Sequence, residues 1–521
     1  MAGSFKNIIT YSFALLILLS ACARIGRPSG GEKDTTPPRL LKSVPARQTT
    51  NFKGKELTLE FDEYVQIKDP GKNLLISPPL QQPPVIIPAG IASKTFKIKF
   101  QDSLKPNTTY LINFGNSIAD YNEGNKLSDF QLVFSTGPVI DSLTLKGKLH
   151  PVYYNGKTDN MMVGLYPADE FKDSLVFKQK PYYVATANAK TGDFQLKYLR
   201  QGRYRIIGII DENHDYKYRK GEEAIGFTDK IIEIPGDTLV ELYLFKEPPR
   251  LGFEKIEQAG KNHVWIEVKG SIDSLQVQSL DSLTKEIRIV DGNKLHFWYD
   301  TPGDSIKLAL QLGKKSKKYI RKRTKKSDSL QVQITSVGNP LDTVRISANI
   351  PLADFDKSKI KLEADSLPVP FELALTSRYN YRVDFDKKTG KTYKVVLLPG
   401  ALTDFLGNQL KDTLQKKMTI RPEKDFGKLI LSFKKNKGEK RFVELLKNNK
   451  VFRKTPTFTS DSISIPYLPP GKYKIRIVFD TNANNLWDTG DYLKHRQPEK
   501  TFEPDKEIEI RPNWDINQTY D

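Results

Sequence analysis

The sequence predicts an all-β chain, a series of tandem β-sandwich modules after a cleaved signal peptide. Three observations carry this. Short runs alternate apolar and polar residues, as in Glu56-Leu-Thr-Leu-Glu-Phe61, and a period of two places one set of side chains on one sheet face. No comparable run has helical periodicity. A late stretch, Leu468 to Asp491, repeats an earlier one, Leu199 to Glu222, without a gap: Leu199, Gly202, Tyr204, Ile206, Asp211, Asn213 and Gly221 match Leu468, Gly471, Tyr473, Ile475, Asp480, Asn482 and Gly490. A match this long at fixed spacing marks a duplicated module.

The 521 residues suffice for about three to five domains. Residues 1–21 read as a targeting segment, with one Lys in Met1 to Lys6 followed by the apolar run Ile8 to Leu19. That run is short of the roughly 20 residues a membrane span needs. It ends in Leu19-Ser20-Ala21-Cys22, which resembles a bacterial lipoprotein signal. The resemblance implies cleavage before Cys22, acylation of Cys22 and anchoring in a membrane. Cys22 is the only cysteine, so no disulfide forms within the chain. Several acyl chains anchor stably, at about 0.8 kcal/mol per buried CH₂. Residues 22–36 follow as a flexible tether. By the sorting rules of lipoproteins, Ala23 in place of Asp implies the outer membrane. Arg24 and Arg27, in place of an acidic run, favour its periplasmic face over the cell surface.

Residues 37–140 form the first folded module, opened by Pro37-Pro38, which excludes a helix. Its strands are Glu56 to Phe61, Thr95 to Phe100, Thr109 to Phe114 and Phe130 to Phe134. Asp120 with Gly124-Asn125 predicts a turn in which the carboxylate accepts backbone N–H groups. Thr35-Thr-Pro-Pro38, Leu59-Glu-Phe-Asp-Glu63, Leu104-Lys-Pro-Asn-Thr-Thr-Tyr110, Asp120 and Phe134-Ser-Thr136 together resemble the SbsA-type bacterial Ig-like domain. Residues 327–422 are expected to hold a second, diverged copy. Lys391-Thr-Tyr393, Asp404 and Gly407-Asn-Gln-Leu410 repeat Thr109-Tyr110, Asp120 and Gly124-Asn-Lys-Leu127, while the opening of this copy is poorly matched.

The duplicated stretch lies in residues 141–249 and again in 423–521. Its strand pattern and Gly-x-Tyr-x-Ile run resemble the transthyretin-like (carboxypeptidase regulatory-like) β-sandwich, a family used for adhesion and scaffolding. In the strand of the second copy, Tyr473, Ile475, Ile477 and Phe479 are expected inward, and Lys472, Lys474, Arg476 and Val478 outward. The loop after it places Asp480, Asn482, Asn484, Asp488 and Asp491 at positions 1, 3, 5, 9 and 12, the spacing of calcium loops. The first copy offers Asp211, Asn213, Asp215 and Glu222, with Arg219 at position 9. Calcium is therefore a candidate cofactor at both loops. The competing reading is the stronger one: Asx-rich loops satisfy themselves through side-chain to backbone hydrogen bonds, and position 6 lacks the Gly of an EF-hand.

Residues 250–326 form an intervening β module. His263 to Val268, Glu286 to Val290 and Lys294 to Tyr299 read as strands, with Asp291-Gly292 as a hairpin turn. Phe297 and Tyr299 share a face and are expected in the core. Trp298, with Trp487 from the second loop, is a candidate glycan-binding platform. The module ends in Lys314 to Lys326, with nine positive charges. This run reads as a solvated hairpin kept from edge pairing by Lys, or else as an anion-binding face.

The net charge is +20, from 82 Lys and Arg against 62 Asp and Glu. In an exported protein this balance points to anionic lipid or acidic glycans and not to nucleic acid. None of the five histidines has a metal spacing, and no nucleophile elbow or phosphate loop is present. The expected protein is a non-enzymatic, lipid-anchored envelope binding or scaffold protein, similar to the Ig-like lipoproteins of Bacteroidota. Its partners are the membrane, through acylated Cys22, and an unidentified envelope protein or glycan. The alternatives are an accessory to polysaccharide capture and a hydrolase with dispersed carboxylates.

Overall fold

The computed structural model describes residues 34–128, 130–236, 239–324, 328–434 and 438–520, so Cys22 and its surroundings lie outside the described residues. The chain divides into two units, residues 1–143 with 198–200, and residues 144–197 with 201–521. The fold is all-β, with one α-helical turn at Pro70–Asn73 and short 3-10 turns among the described residues.

In the first unit, Glu56–Ile67 is the central strand. Leu57, Leu59 and Phe61 are buried, and the polar residues between them are not. It pairs antiparallel with Leu40–Val44 and Ser93–Lys99, with Leu59 opposite Phe96 and Leu57 opposite Ile98. Ile118–Asp120 joins its far end, and Val85–Ile87 extends the sheet. The second sheet is Leu75–Ser77, Thr109–Asn113 and Gln131–Ser135. The facing sides close one core, in which Tyr110 stacks on Phe134 at 5.5 Å. Glu56–Ile67, Ser93–Lys99, Thr109–Asn113 and Gln131–Ser135 are strands the alternation predicts, whereas Leu40–Val44 shows no alternation and was not expected. The three-residue strands carry too few residues to show a period.

The second unit contains the same sandwich again. Val332–Ile334, Val344–Ala348, Asn380–Asp384 and Glu372–Ser377 form one sheet in that order. Leu367–Pro368, Ile360–Ala364, Thr392–Leu397 and Leu414–Thr419 form the other. Leu352–Phe355 pairs with Leu402–Asp404, as the far end of Glu56–Ile67 pairs with Ile118–Asp120. The continuous strand of the first copy is thus two strands here, separated by Ile350-Pro351. Pro has no N–H for the ladder, which accounts for the break and for the poor sequence match of this opening.

The duplicated loop modules also agree strand for strand. In the first, the order is Tyr183–Thr186, Met161–Pro167, Gly202–Ile210, Ala224–Phe227, Leu239–Lys246, Leu143–Pro151, Asp193–Leu199, with Ile232–Ile234 also on Gly202–Ile210. In the second, Lys450–Lys454, Phe442–Lys447, Gly471–Val478 and Thr501–Phe502 form one sheet, with Ile508–Ile510 on Gly471–Val478. Asp515–Tyr520, Gly427–Phe433 and Ser462–Leu468 form the other. In both copies the first and last strands run parallel. The copies differ at one junction. Ala224–Phe227 pairs with Leu239–Lys246, whereas the equivalent Thr501–Phe502 and Asp515–Tyr520 do not pair.

The intervening module is a sandwich of its own. Gly252–Gly260, His263–Lys269, Lys294–Asp300 and Lys285–Asp291 face Leu275–Ser279, Ser305–Leu312 and Lys315–Lys322. Phe297 and Tyr299 lie in its core as expected. The hairpin turn is displaced by one residue from the expectation: Asp291 pairs with Lys294, so the two-residue loop is Gly292-Asn293, with Gly292 at φ 54°. The basic run forms the edge strand Lys315–Lys322, paired on one side only and exposed except at Tyr319. Its lysines stand on the open edge, where like charge opposes pairing with a second strand.

Asp120 accepts the N–H groups of Glu123, Gly124 and Asn125 at 2.7–2.9 Å. Burial pushes its carboxyl up, but these N–H groups outweigh burial and hold it below the usual range. Asp404, equally buried, accepts the N–H groups of Leu406 and Asn408 in the second copy. Replacing either Asp with Ala is expected to cost about 1–3 kcal/mol, measured by chemical denaturation. The Asp120 contribution is present above the unfolded carboxylate pKa and is lost as pH falls through the depressed folded value.

Candidate functional site

The strand Gly471–Val478 was expected to turn one face to solvent. Tyr473, Ile475 and Ile477 do face the core, yet Arg476 and Val478 on the other face are buried too. The first loop module covers Arg476. The Arg476 guanidinium lies 4.3 Å from the centre of the Tyr153 ring and pairs with Glu444 at 3.2 Å and Glu503 at 2.5 Å. Tyr153 donates to Glu444 at 2.9 Å and stacks on Trp487 at 4.6 Å. Burial, and then the Glu444 charge, push the Tyr153 phenol up to about 12. Arg476 of this strand thus makes a contact between the two repeats.

The oxygens that the calcium spacing singles out are taken up by the loops themselves. Asp480 is fully buried and accepts the N–H groups of Asn484 and Asn485 and the hydroxyl of Thr457. The Asn482 and Asn484 carbonyl oxygens accept the N–H groups of Asn484 and Leu486, which turns both side-chain NH₂ groups toward Asp488. Asp491 caps the turn at Lys494. In the first copy, Asp211 accepts from Asp215 and Tyr216, and Asn213 donates to Glu223. Arg219 pairs with Asp215 at 2.7 Å and brings its own cation to the loop. Among the described residues no three His, Cys, Asp or Glu side chains gather to hold a metal ion.

The two equivalent carboxyls diverge. Burial, reinforced by the charge of Asp215, raises Asp211 above its ordinary value despite two backbone N–H bonds. Burial also acts on Asp480, but the Thr457 hydroxyl and three backbone N–H groups outweigh it and lower the carboxyl. Glu223, the buried acceptor beneath the first loop, is pushed up to about 7 by burial.

Both loops converge on one carboxylate, Glu247, whose side chain is fully buried. From the first loop it accepts the Tyr218 hydroxyl at 2.5 Å and the Lys220 ammonium at 2.9 Å. From the segment after the second loop it accepts the Tyr492 N–H at 3.0 Å. Around this point, Thr489 donates to the Lys246 carbonyl and Gln497 to the Phe227 carbonyl. His495 lies between Asp229 at 2.5 Å and Asp173 at 3.0 Å. Gly490 packs on the Phe245 ring so closely that an added Cβ would stand 2.4 Å from it. This connection is seven residues longer than its counterpart, measured between equivalent strand pairs, and Tyr492, His495 and Gln497 stand in the region of added length. The ungapped sequence match stops at Asp491, just before these residues.

Trp298, the other candidate glycan platform, is 3% exposed. It packs with Ile350 and Phe405, stacks on His263 at 4.0 Å and donates to the Tyr379 hydroxyl at 2.6 Å. The alternation placed it correctly opposite Phe297 and Tyr299, but the following sandwich covers that face. His263 and His296 share one hydrogen bond of 3.0 Å beside it. Burial, and then His296, push His263 down to about 3. Trp487 is half-buried, with its ring on Tyr153 and its N–H on the Glu499 carbonyl.

One further detail is common to the sandwich of the first unit and its copy in the second. Tyr110 accepts the Lys105 N–H, and Tyr393 the Lys388 N–H, both at 2.8 Å and both across five residues. Such a tyrosine corner belongs to Ig-like sandwiches. Residues 34–136 match the bacterial Ig-like domain family.

No curated protein sequence matches the chain. The chain is similar to several solved structures at low identity. The major pilin subunit BcpA of Bacillus cereus is 11% identical, over 73% of this chain and 99% of that one, with a TM-score of 0.14. The Bacillus anthracis TIE protein is 12% identical, over 95% and 76%, with a TM-score of 0.15. The S-layer protein SbsC is 11% identical, over 90% and 67%, with a TM-score of 0.16. Scores this low carry no argument about shared function.

Two outcomes test the junction. Glu247→Ala leaves the buried Tyr218 hydroxyl and the Tyr492 N–H without this acceptor and the half-buried Lys220 ammonium with Asp491 at 3.8 Å, and is expected to cost about 1–3 kcal/mol in denaturant titrations. Hydrogen bonds from His495 to Asp229, then to Asp173, raise its pKa above the ordinary histidine value. Its contribution is therefore full below the unfolded pKa and is lost as pH rises through the folded one. Amide exchange of residues 489–497, corrected for intrinsic rates, is expected to accelerate across that rise, and His495→Asn to flatten the dependence.

Proposed function

We propose that this chain is a non-enzymatic, lipid-anchored scaffold or binding protein of the bacterial envelope. In this reading, acylated Cys22 holds it to the outer membrane on the periplasmic side, and its β modules present surfaces to an envelope protein or glycan. The finer kinships belong to the same reading: SbsA-type for the Ig-like modules and transthyretin-like for the loop modules. The observation that carries it is the junction around Glu247. The loop oxygens are taken up within each loop, and the residues beside them, Tyr218, Lys220 and Tyr492, join two sandwiches at Glu247. The Ig-like match at residues 34–136 supports an extracellular or envelope setting.

Protease shaving of intact and lysed cells tests this, with a Cys22→Ser variant alongside. The expected result is protection until lysis, with the variant released as soluble protein. Digestion in intact cells would overturn the periplasmic placement, and retention of the variant on membranes would overturn the anchor.

A further inference from the structure

The two loop modules share every strand pairing but one, and the difference has a specific cause. In the first module, Gly208 and Gly226 face each other across neighbouring strands. Leu239–Lys246 closes over them and pairs with Ala224–Phe227 through Ala224 opposite Lys246 and Ile225 opposite Phe245. A Cβ at Gly226 would stand 2.7 Å from a Leu244 methyl and 2.8 Å from the Tyr243 carbonyl oxygen, and one at Gly208 would stand 2.9 Å from Leu149 and Leu244. A side chain at Gly226 would therefore meet the backbone of the closing strand, whereas one at Gly208 would meet only leucine methyls. In the second module the same cross-strand pair is Ile477 opposite Phe502. Phe502 stands where the first module has Gly226, its ring 5.7 Å from that of Tyr520 on the opposite strand, and the two strands do not pair.

The opening is a groove of about 600 Å³ lined by Phe433, Ile477, Phe502 and Tyr520, with Tyr243 and Glu241 of the first module on its far side. Phe502 and Tyr243 expose 43% and 49% of their surface. The groove continues the interface already formed between the repeats. It is also bordered by two strand edges. Among the described residues, Thr501–Phe502 pairs only with Gly471–Val478, and Asp515–Tyr520 only with Gly427–Phe433. Unlike Lys315–Lys322, the strand Asp515–Tyr520 carries no Lys or Arg to guard its edge.

We infer that this groove binds an extended peptide segment of a partner protein by strand addition. The aromatic floor takes alternate apolar side chains, and the strand edge supplies main-chain hydrogen bonds. An acyl chain would fill the apolar space but leave those backbone donors and acceptors unmatched, so the edges favour a peptide. The inference deepens the binding-protein reading by naming its site and partner chemistry. It does not depend on the anchor or on which side of the membrane the modules stand.

The chain supplies a probe in its own Leu239–Lys246, Leu-Val-Glu-Leu-Tyr-Leu-Phe-Lys, the strand that closes this seam in the first module. A fluorescein-labelled synthetic peptide of that sequence is titrated against the full chain by anisotropy. The expected result is saturable binding, weakened at least tenfold in Phe502→Gly, which removes the ring from the groove and leaves at that position the residue the first module has at Gly226. Lys315→Ala, on the guarded edge, leaves it unchanged. Circular dichroism melting of each variant separates loss of the groove from loss of fold, and Phe502→Leu, which keeps the wedge, retains binding if Phe502→Gly unfolds. No saturable binding, equal binding by folded Phe502→Gly, or displacement of the peptide by palmitate would each overturn the inference.

Discussion

The contact between the two loop modules is organised about one buried carboxylate. Glu247 takes a hydroxyl and an ammonium from its own module and a backbone N–H from the other repeat. Removed from water, a carboxylate is tolerable only when paired and fully hydrogen-bonded. Here neither repeat supplies all the donors. The first copy brings Tyr218 and Lys220, and the set is completed only when Tyr492 arrives from the second. The cost of burying the charge thus makes docking specific, because a shifted register would leave a donor or the acceptor unmet. Gly490 against Phe245 fixes the distance of approach, and His495 between two aspartates fixes its orientation.

Duplication followed by divergence explains how the junction arose physically. The two loops keep the same leading Asp, buried in each copy and accepting the N–H groups four and five residues on. That self-contained turn leaves the rest of the loop free to change. The second copy has a longer connection and reaches outward to the first. The same copy has Ile–Phe where the other has Gly–Gly and lacks the closure its counterpart has. One module carries a docking arm and an open seam, and the other a closed sheet on which the arm rests.

Much of the architecture was legible in the sequence because it rests on local rules. Alternation identified Glu56–Ile67, Ser93–Lys99, His263–Lys269 and Lys294–Asp300 but missed Leu239–Lys246 and Ser305–Leu312, and Asp120 with Gly124-Asn125 identified a turn that the structure reproduces hydrogen bond for hydrogen bond. The basic edge strand was legible from its lysines. What was not legible depended on which outward faces another module covers. Trp298 and Arg476 each lie on the non-core side of a strand, as alternation requires, yet both are buried by neighbouring sandwiches. The calcium spacing of Asp480 to Asp491 was legible too, but spacing alone does not distinguish oxygens facing a cation from oxygens facing backbone N–H groups. Glu247 carried no signal, being a single Glu after a strand. Its role exists only once two repeats meet.

The most direct test of this account is the distance between the two repeats in solution. Spin labels at Lys190→Cys and Lys450→Cys, both exposed, are introduced in a chain whose Cys22 is replaced by Ser, and their separation is measured by double electron–electron resonance. A junction organised by Glu247 predicts one narrow distance distribution that broadens when Glu247→Ala is added. A broad distribution with Glu247 intact, or a narrow one that persists without it, would contradict the claim that this carboxylate holds the two repeats together.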